Sequence, residues 1–141
     1  GRVEASREFG MILTPVAEGN LREYLECVDL TNPLDSHIRP WLPCLASGLT
    51  YLHSLNILHK DIKPQNILCH GDNILYTDFG LSKLFQGDTL TVSTDPSGTV
   101  KYCAPEVRQG KRSGRRSDVF SLGTVYLEML TVASGRDLGK L

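Results

Sequence analysis

The sequence predicts an α+β fold in a single domain, and three observations support that prediction. The chain has 141 residues, which is enough for one domain of ordinary size and too few for two. Segments 38–52 and 118–130 carry apolar residues at helical spacing. Between them lie short apolar runs broken by glycine, proline and asparagine, which predict short strands and turns.

Composition and charge are those of an ordinary globular protein. Hydrophobic residues make up 40% and charged residues 22%, which argues against a disordered or collagen-like chain. The formal charge of −1 argues against a nucleic-acid partner. No apolar stretch approaches the roughly 20 residues that cross a bilayer. Charged residues interrupt the first ten positions, so we expect neither a membrane partner nor a secretory signal.

The cysteines give no metal or redox signature. No two of the four stand in a Cys-x-x-Cys pair. We therefore expect reduced thiols in an intracellular protein, which would be cytoplasmic or nuclear.

The first predicted elements are a short strand and a short helix. An apolar run over residues 9–16, bounded by Gly10 and Pro15, predicts a buried strand. Asn20 followed three residues later by Glu23 has the spacing of a capping box, which predicts that a helix begins there.

A longer helix is predicted next, with two prolines inside its apolar pattern. Because an interior proline costs about 3 kcal/mol, we expect the regular helix to start or kink near Pro43 and to end between His53 and Asn56. The residues of its apolar face are Ile38, Trp41, Leu42, Leu45, Leu49 and Leu52.

The remaining elements follow in order. Residues 57–78 predict a loop and then a hairpin that turns at 70–73. Residues 81–99 are rich in serine, threonine, glycine and aspartate and predict a long flexible loop. A second strong helix is expected over 118–130, capped by Ser117 and largely buried because apolar residues surround it.

One predicted loop combines three kinds of side chain that phosphoryl transfer requires. Asp61 offers a carboxylate to orient an attacking hydroxyl, Lys63 a cation for the transferred phosphate, and Asn66 a metal ligand. Asp78, directly before a Phe-Gly pair, adds a second carboxylate that can bind Mg²⁺.

In four motifs the sequence resembles the eukaryotic protein kinase family of the Ser/Thr type. Residues 59–68 resemble its catalytic loop, 78–80 its Asp-Phe-Gly motif, 98–106 the end of its activation segment, and 117–123 the start of its central helix. The motifs follow the order of the family.

The resemblance implies a truncated protein kinase-like α+β fold. Residues 1–20 would be a remnant of the small lobe and the hinge, and residues 21–141 a partial large lobe. Within that lobe, the catalytic loop would span 59–68, the activation segment 78–106 and the central helix 118–130.

It also implies roles for single residues. Asp61 would be the catalytic base, and Lys63 the cation on the γ-phosphate, which favours Ser/Thr over Tyr substrates. Asn66 and Asp78 would bind Mg²⁺. Thr99 would bond toward Asp61 and Lys63.

For the nucleotide, the resemblance implies that Leu68 forms the apolar floor under the adenine. Leu13, Thr14 and Val16 would supply the strand end and the hinge whose backbone pairs with the adenine edge.

Three further residues would support the site. His59 and Phe79 would stack between the lobes, and Asp118 would anchor the backbone of the catalytic loop; alternatively, Asp118 is only a charge at a helix N-terminus.

The sequence departs from the family pattern at several points. Lys60 stands where the family usually has arginine, and no lysine precedes it. No Gly-x-Gly motif occurs, and the family's arginine partner for Glu106 lies in helices that this sequence does not contain. Because the central helix would lack its neighbours, we expect the chain alone to be poorly stable.

The predicted activity is transfer of the ATP γ-phosphate to a protein hydroxyl with Mg²⁺, although we expect this chain alone to be inactive. Three alternatives remain open. They are a pseudokinase-like binding module, a non-functional fragment and a small-molecule phosphotransferase of kinase-like fold.

Overall fold

The computed structural model describes residues 14–28, 38–84, 100–111 and 113–140, and they form an α+β fold as predicted. Its strands are β1 Gly19–Asn20, β2 Ile57–Leu58, β3 Ile67–His70, β4 Asn73–Tyr76 and β5 Lys83–Leu84. Its α-helices are α1 Leu21–Cys27, α2 Ile38–Ser54, α3 Pro105–Arg108 and α4 Arg115–Ala133. Short 3₁₀ turns occur at Pro64–Asn66, Phe79–Leu81, Val100–Tyr102 and Leu138–Lys140.

The predicted hairpin is confirmed. Strands β3 and β4 pair antiparallel, with His70 opposite Asn73 across a two-residue turn. Gly71, the first residue of that turn, has a φ of 54°, a conformation that glycine adopts without steric cost. Strand β1 pairs with the other edge of β3, so this sheet has the order β1-β3-β4.

A second small sheet corrects the predicted loop over 81–99. Strand β5 pairs antiparallel with β2, which brings Lys83 opposite Leu58. Residues 85–99 lie outside the described part of the chain. The strand predicted over 9–16 is wrong for residues 14–16, which belong to no strand, and the rest of it also lies outside the described residues.

The predicted cap of α1 is confirmed in both directions. The Glu23 backbone amide donates to Asn20 Oδ1 at 3.1 Å, and the Asn20 amide donates to Glu23 Oε2 at 3.0 Å. Two backbone donors at the helix start are thereby satisfied.

Helix α2 starts earlier than predicted. The start near Pro43, one of the two expectations, is wrong, because the helix begins at Ile38 and contains Pro43; a kink at Pro43 stays a prediction. The helix ends at Ser54, as expected. Burial explains the early start, because Ile38 and Trp41 are both almost completely buried. The Trp41 indole also donates to the Asp72 backbone oxygen at 2.9 Å, which ties the first turns of α2 to the hairpin.

The core lies between α1, α2, α4 and the inner face of the three-stranded sheet. Its most buried side chains are Leu21, Leu25, Ile38, Trp41, Leu45, Leu49, Ile62, Ile67, Val125, Met129 and Val132. All four cysteines are free thiols, as predicted, and burial raises the pKa of Cys69 to about 11. Within the described residues, none of the helices combines the length and apolar character needed to cross a bilayer.

Helix α4 differs from its prediction at its start and on its surface. It begins at Arg115, and its N-cap is Gly114 rather than Ser117. Ser117 instead lies at the third helical position, where its hydroxyl accepts from the Gly114 amide at 3.1 Å. The expectation of a largely buried helix is wrong, since four apolar side chains along it are exposed: Val119, Phe120, Leu127 and Leu130.

A buried carboxylate joins α4 to the segment before α3. Glu128 is fully buried, and its Oε1 accepts from the Tyr102 hydroxyl at 3.0 Å and pairs with Lys101 Nζ at 2.6 Å. Burial raises the pKa of Tyr102, and the negative charge of Glu128 adds to that effect. Residues 100–102 are therefore held against the helix by both charge and hydrogen bonding.

We predict that the exposed apolar side chains of α4 make the chain self-associate, and that Leu127→Glu reduces this self-association without a large loss of stability. Leu127 is 59% exposed, so a carboxylate there breaks the exposed apolar face and remains hydrated. Met129→Glu is the matched control on the same helix and should cost about 4 kcal/mol or more, because Met129 is 0% exposed. Size-exclusion chromatography with light scattering and thermal unfolding would measure both effects. Unchanged self-association in Leu127→Glu would contradict the prediction.

Candidate active site

The structure brings together Asp61, Lys63 and Asn66, three residues that the sequence singled out. Lys63 Nζ lies 2.7 Å from Asp61 Oδ2, and Asn66 Nδ2 donates to the same oxygen at 2.8 Å. The Asn66 amide also donates to the Asp61 backbone oxygen at 2.9 Å. The side chains of Asp61 and Lys63 are 11% and 19% exposed, so the pair is shielded yet reachable from solvent.

Local backbone structure places these three side chains. Lys63 precedes a 3₁₀ turn that opens with Pro64, whose fixed φ suits the first position of a helical turn. The backbone amide of Asn66 donates to the backbone oxygen of Lys63 at 2.9 Å, which completes the turn. Strand β3 then begins at Ile67. The 3₁₀ turn therefore directs Asn66 back toward Asp61.

Asp78 lies beyond strand β4 in a left-handed conformation, with φ 59° and ψ 67°. Its Oδ1 accepts from the Gly80 amide at 3.3 Å, and the residue is exposed. The neighbouring Thr77 amide donates to the Asn66 oxygen at 3.0 Å. The hairpin thus returns the chain so that the residue before Asp78 contacts Asn66.

Asp118 holds the backbone directly before Asp61, which confirms the predicted anchoring role. It is 1% exposed; its Oδ2 accepts from the His59 amide at 3.0 Å and its Oδ1 from the Lys60 amide at 2.9 Å. Lys60 has a φ of 69°, which costs a residue with a side chain about 1–2 kcal/mol. Two charge-assisted hydrogen bonds offset that cost, so Asp118 is more than a charge at a helix terminus.

His59 connects the loop to the hairpin through its ring. Its Nε2 donates to the Thr77 oxygen at 3.1 Å, and its Nδ1 accepts from the Asp61 amide at 3.4 Å. The predicted contact with Phe79 is confirmed, with ring centroids 5.0 Å apart. Burial lowers the pKa of His59, although the charge of Asp118 opposes the effect. The two hydrogen bonds, one donated by Nε2 and one accepted by Nδ1, are those of the neutral tautomer with its hydrogen on Nε2.

The residues that the family resemblance places around the nucleotide are half-buried, exposed or outside the described residues. Leu68 is half-buried on the outer face of the sheet, opposite Leu75 of β4. Thr14 and Val16 are exposed, and Val16 is 82% accessible. Leu13 and Thr99 lie outside the described residues.

Sequence reasoning missed two residues near the site. His53 Nε2 lies 2.9 Å from Asp118 Oδ2, and Arg115 donates to the His53 oxygen at 2.9 Å. No local pattern marks them, because His53 and Asp118 are 65 positions apart. The signal available in the sequence was a histidine in the last turn of a predicted helix.

A loop held by a buried aspartate thus brings together a carboxylate, an ammonium group and an amide, the side-chain types that phosphoryl transfer uses. Residues 1–135 match the protein kinase domain family, and the chain belongs to that family. The predicted kinase-like fold is thereby confirmed.

Relatives of the chain include receptor-like kinases of Arabidopsis thaliana. One is the leaf rust 10 disease-resistance locus receptor-like protein kinase-like 1.3, 36% identical over 140 residues that cover 94% of this chain and 20% of that protein. Another is a probable L-type lectin-domain containing receptor kinase, 41% identical over 140 residues, with coverage of 92% and 20%. The chain thus spans about 20% of the length of these relatives.

The chain also resembles a bacterial protein whose name identifies it as a serine/threonine kinase. The serine/threonine-protein kinase PrkC of Bacillus subtilis is 39% identical over 88 residues, which cover 62% of this chain and 14% of that protein.

We predict that Asp118→Ala lowers the free energy of unfolding by about 3–5 kcal/mol, because it leaves the buried amide of His59 and the part-buried amide of Lys60 without an acceptor. Arg116→Ala, at an exposed position of the same helix, should change it by less than about 0.5 kcal/mol. Urea unfolding followed by circular dichroism would measure both. Equal effects of the two substitutions on the free energy of unfolding would show that the hydrogen bonds of Asp118 do not stabilise the loop.

The His59 ring should titrate below the ordinary histidine value of 6.5, because burial disfavours its charged form. As the pH falls, the His59 ring is therefore protonated in the unfolded chain before it is protonated in the folded chain. The stability that the neutral buried ring contributes above pH 6.5 is lost as the pH falls toward and through the lowered pKa of the folded state. Nuclear magnetic resonance of the imidazole carbon-bound protons would follow the titration. A midpoint at or above 6.5 would contradict a buried neutral ring.

Proposed function

We propose that this chain carries the catalytic loop of a protein serine/threonine kinase, which transfers the γ-phosphate of ATP to a protein hydroxyl. The observation that carries the proposal is the convergence of Lys63 Nζ and Asn66 Nδ2 on one oxygen of Asp61. That arrangement leaves the two oxygens of Asp61 with different tasks.

Asp61 Oδ2 is the oxygen that orients the carboxylate. It receives the Lys63 ammonium at 2.7 Å and the Asn66 amide at 2.8 Å. Oδ1 can then accept the proton of a substrate hydroxyl, whose oxygen bonds to the γ-phosphorus as the bond to the bridging oxygen of the diphosphate breaks. Lys63 has three N–H donors and uses one on Asp61, so two remain for phosphate oxygens.

The polar atoms at one side of the loop fit Mg²⁺. The Asn66 amide nitrogen is engaged by Asp61, so its amide oxygen is the atom left for a cation. Asp78 adds an exposed carboxylate next to Thr77, whose backbone amide donates to the backbone oxygen of Asn66. Oxygen donors of this kind are what Mg²⁺ prefers. When bound, the metal supplies neutralisation of phosphate charge.

Leu68 and the segment around Val16 are the proposed adenine contacts. Leu68 and Leu75 form an apolar pair on the outer sheet face, which is where a flat aromatic base could pack. Thr14 and Val16 offer exposed backbone in the same part of the sequence as β1, the neighbour of β3. Leu13 and Thr99 keep the roles that the family resemblance implies.

The proposed substrate is a serine or threonine hydroxyl of a protein, since kinases of this family act on proteins. Relatives named as serine/threonine kinases support the choice of residue. The four free thiols and the need for ATP favour an intracellular reaction.

The test is transfer of labelled phosphate from Mg²⁺-ATP to a library of serine, threonine and tyrosine peptides. It uses a chimera in which this chain replaces the matching segment of a receptor-like kinase relative, because we expect this chain alone to be inactive. We predict that Asp61→Asn and Lys63→Met each lower kcat at least about 100-fold, because they remove the base and its cation. Asp137→Asn, at an exposed position just before the C-terminal turn, is the matched control and should keep the activity of the unaltered chimera. Transfer that survives Asp61→Asn would overturn the assignment.

A further inference from the structure

The C-terminal end of α2 contacts the same carboxylate that holds the backbone of the catalytic loop. His53 Nε2 lies 2.9 Å from Asp118 Oδ2, and the two side chains are 13% and 2% exposed. An ionised carboxylate has only acceptor oxygens, so the hydrogen in this bond belongs to His53 Nε2. Asp118 Oδ2 therefore accepts from both the His53 ring and the His59 amide.

A second contact fixes the position of His53. Arg115, the first residue of α4, donates to the His53 backbone oxygen at 2.9 Å and to Asn56 Oδ1 at 2.7 Å. Asn56 is the left-handed residue just after α2, with a φ of 58°. The last turn of α2 is thus tied to the first turn of α4, which carries Asp118.

The conformation of the loop backbone depends on the orientation of the Asp118 carboxylate. Each of its oxygens accepts one loop amide, from His59 and from Lys60. A rotation of the carboxylate would weaken both hydrogen bonds at once, because these bonds are directional. The left-handed conformation of Lys60 would then lose the interaction that offsets its strain.

We propose that His53 is a positioning residue, which acts through Asp118 to set the position of Asp61. The His53 donor fixes the carboxylate, the carboxylate fixes the amides of His59 and Lys60, and Asp61 follows Lys60 directly in the chain. The catalytic meaning of this inference rests on the proposed function, while the geometric claim can be measured without any activity.

The experiment compares His53→Gln with His53→Met in the full chain. Glutamine keeps an N–H donor near the position of Nε2, and methionine has similar length without a donor. Amide hydrogen exchange by nuclear magnetic resonance would report on His59 and Lys60, with the amides of the β3–β4 hairpin as an internal reference. We expect exchange at His59 and Lys60 to speed up roughly tenfold in His53→Met, and to stay within about twofold of the unaltered chain in His53→Gln.

Two results would overturn the proposal. One is equal exchange at His59 and Lys60 in the methionine and glutamine variants. The other is an equal rise at the hairpin amides in His53→Met, which would indicate loss of the whole fold. A kinetic comparison separates this inference from the proposed function. In the chimera with a receptor-like kinase relative, His53→Met should lower kcat with KM unchanged. If the unaltered chimera transfers no phosphate, the proposed function is refuted and the exchange result alone decides on His53.

Discussion

The arrangement of the site depends on one buried carboxylate, that of Asp118. Its two oxygens hold successive backbone amides in a loop that contains a left-handed, non-glycine residue. A buried charge is costly unless its acceptor sites are filled, and here the loop backbone fills them. The loop and the carboxylate therefore stabilise each other. Neither the conformation of Lys60 nor the burial of Asp118 would be favourable without the other.

Features made by neighbouring residues were predictable from the sequence. The cap of α1 needs only Asn20 and Glu23, and the hairpin needs a glycine at a two-residue turn between apolar runs. The spacing of Lys63 and Asn66 is also local, because Lys63 caps the 3₁₀ turn that ends at Asn66. Each of these signals spans ten residues or fewer, so tertiary packing has little opportunity to override them.

Features that depend on distant residues were not predictable. The start of α2 follows from burial of Trp41, whose ring packs 4.8 Å from Tyr24 and whose indole reaches Asp72. Strand β5 exists only because β2 offers a partner. The apolar pattern of α4 indicated burial on all sides, yet Leu127 and other residues of one face remain exposed in the described chain. Hydrophobic patterning shows which faces are apolar but not what covers them.

The register of the hairpin links the core to the proposed metal ligands. Ile74 faces the core opposite Cys69, while Leu75 lies on the outer face opposite Leu68. A slip of one residue would exchange these faces, so burial of Ile74 fixes the register. Thr77 follows β4. Its backbone amide donates to the backbone oxygen of Asn66, and its backbone oxygen accepts from His59 Nε2. Because Asp78 is the next residue, ordinary core packing in the hairpin sets where this carboxylate stands relative to the loop. The approach of Asp78 to the loop therefore follows from the alternation of buried and exposed residues in two short strands, while Asp118 holds the loop itself.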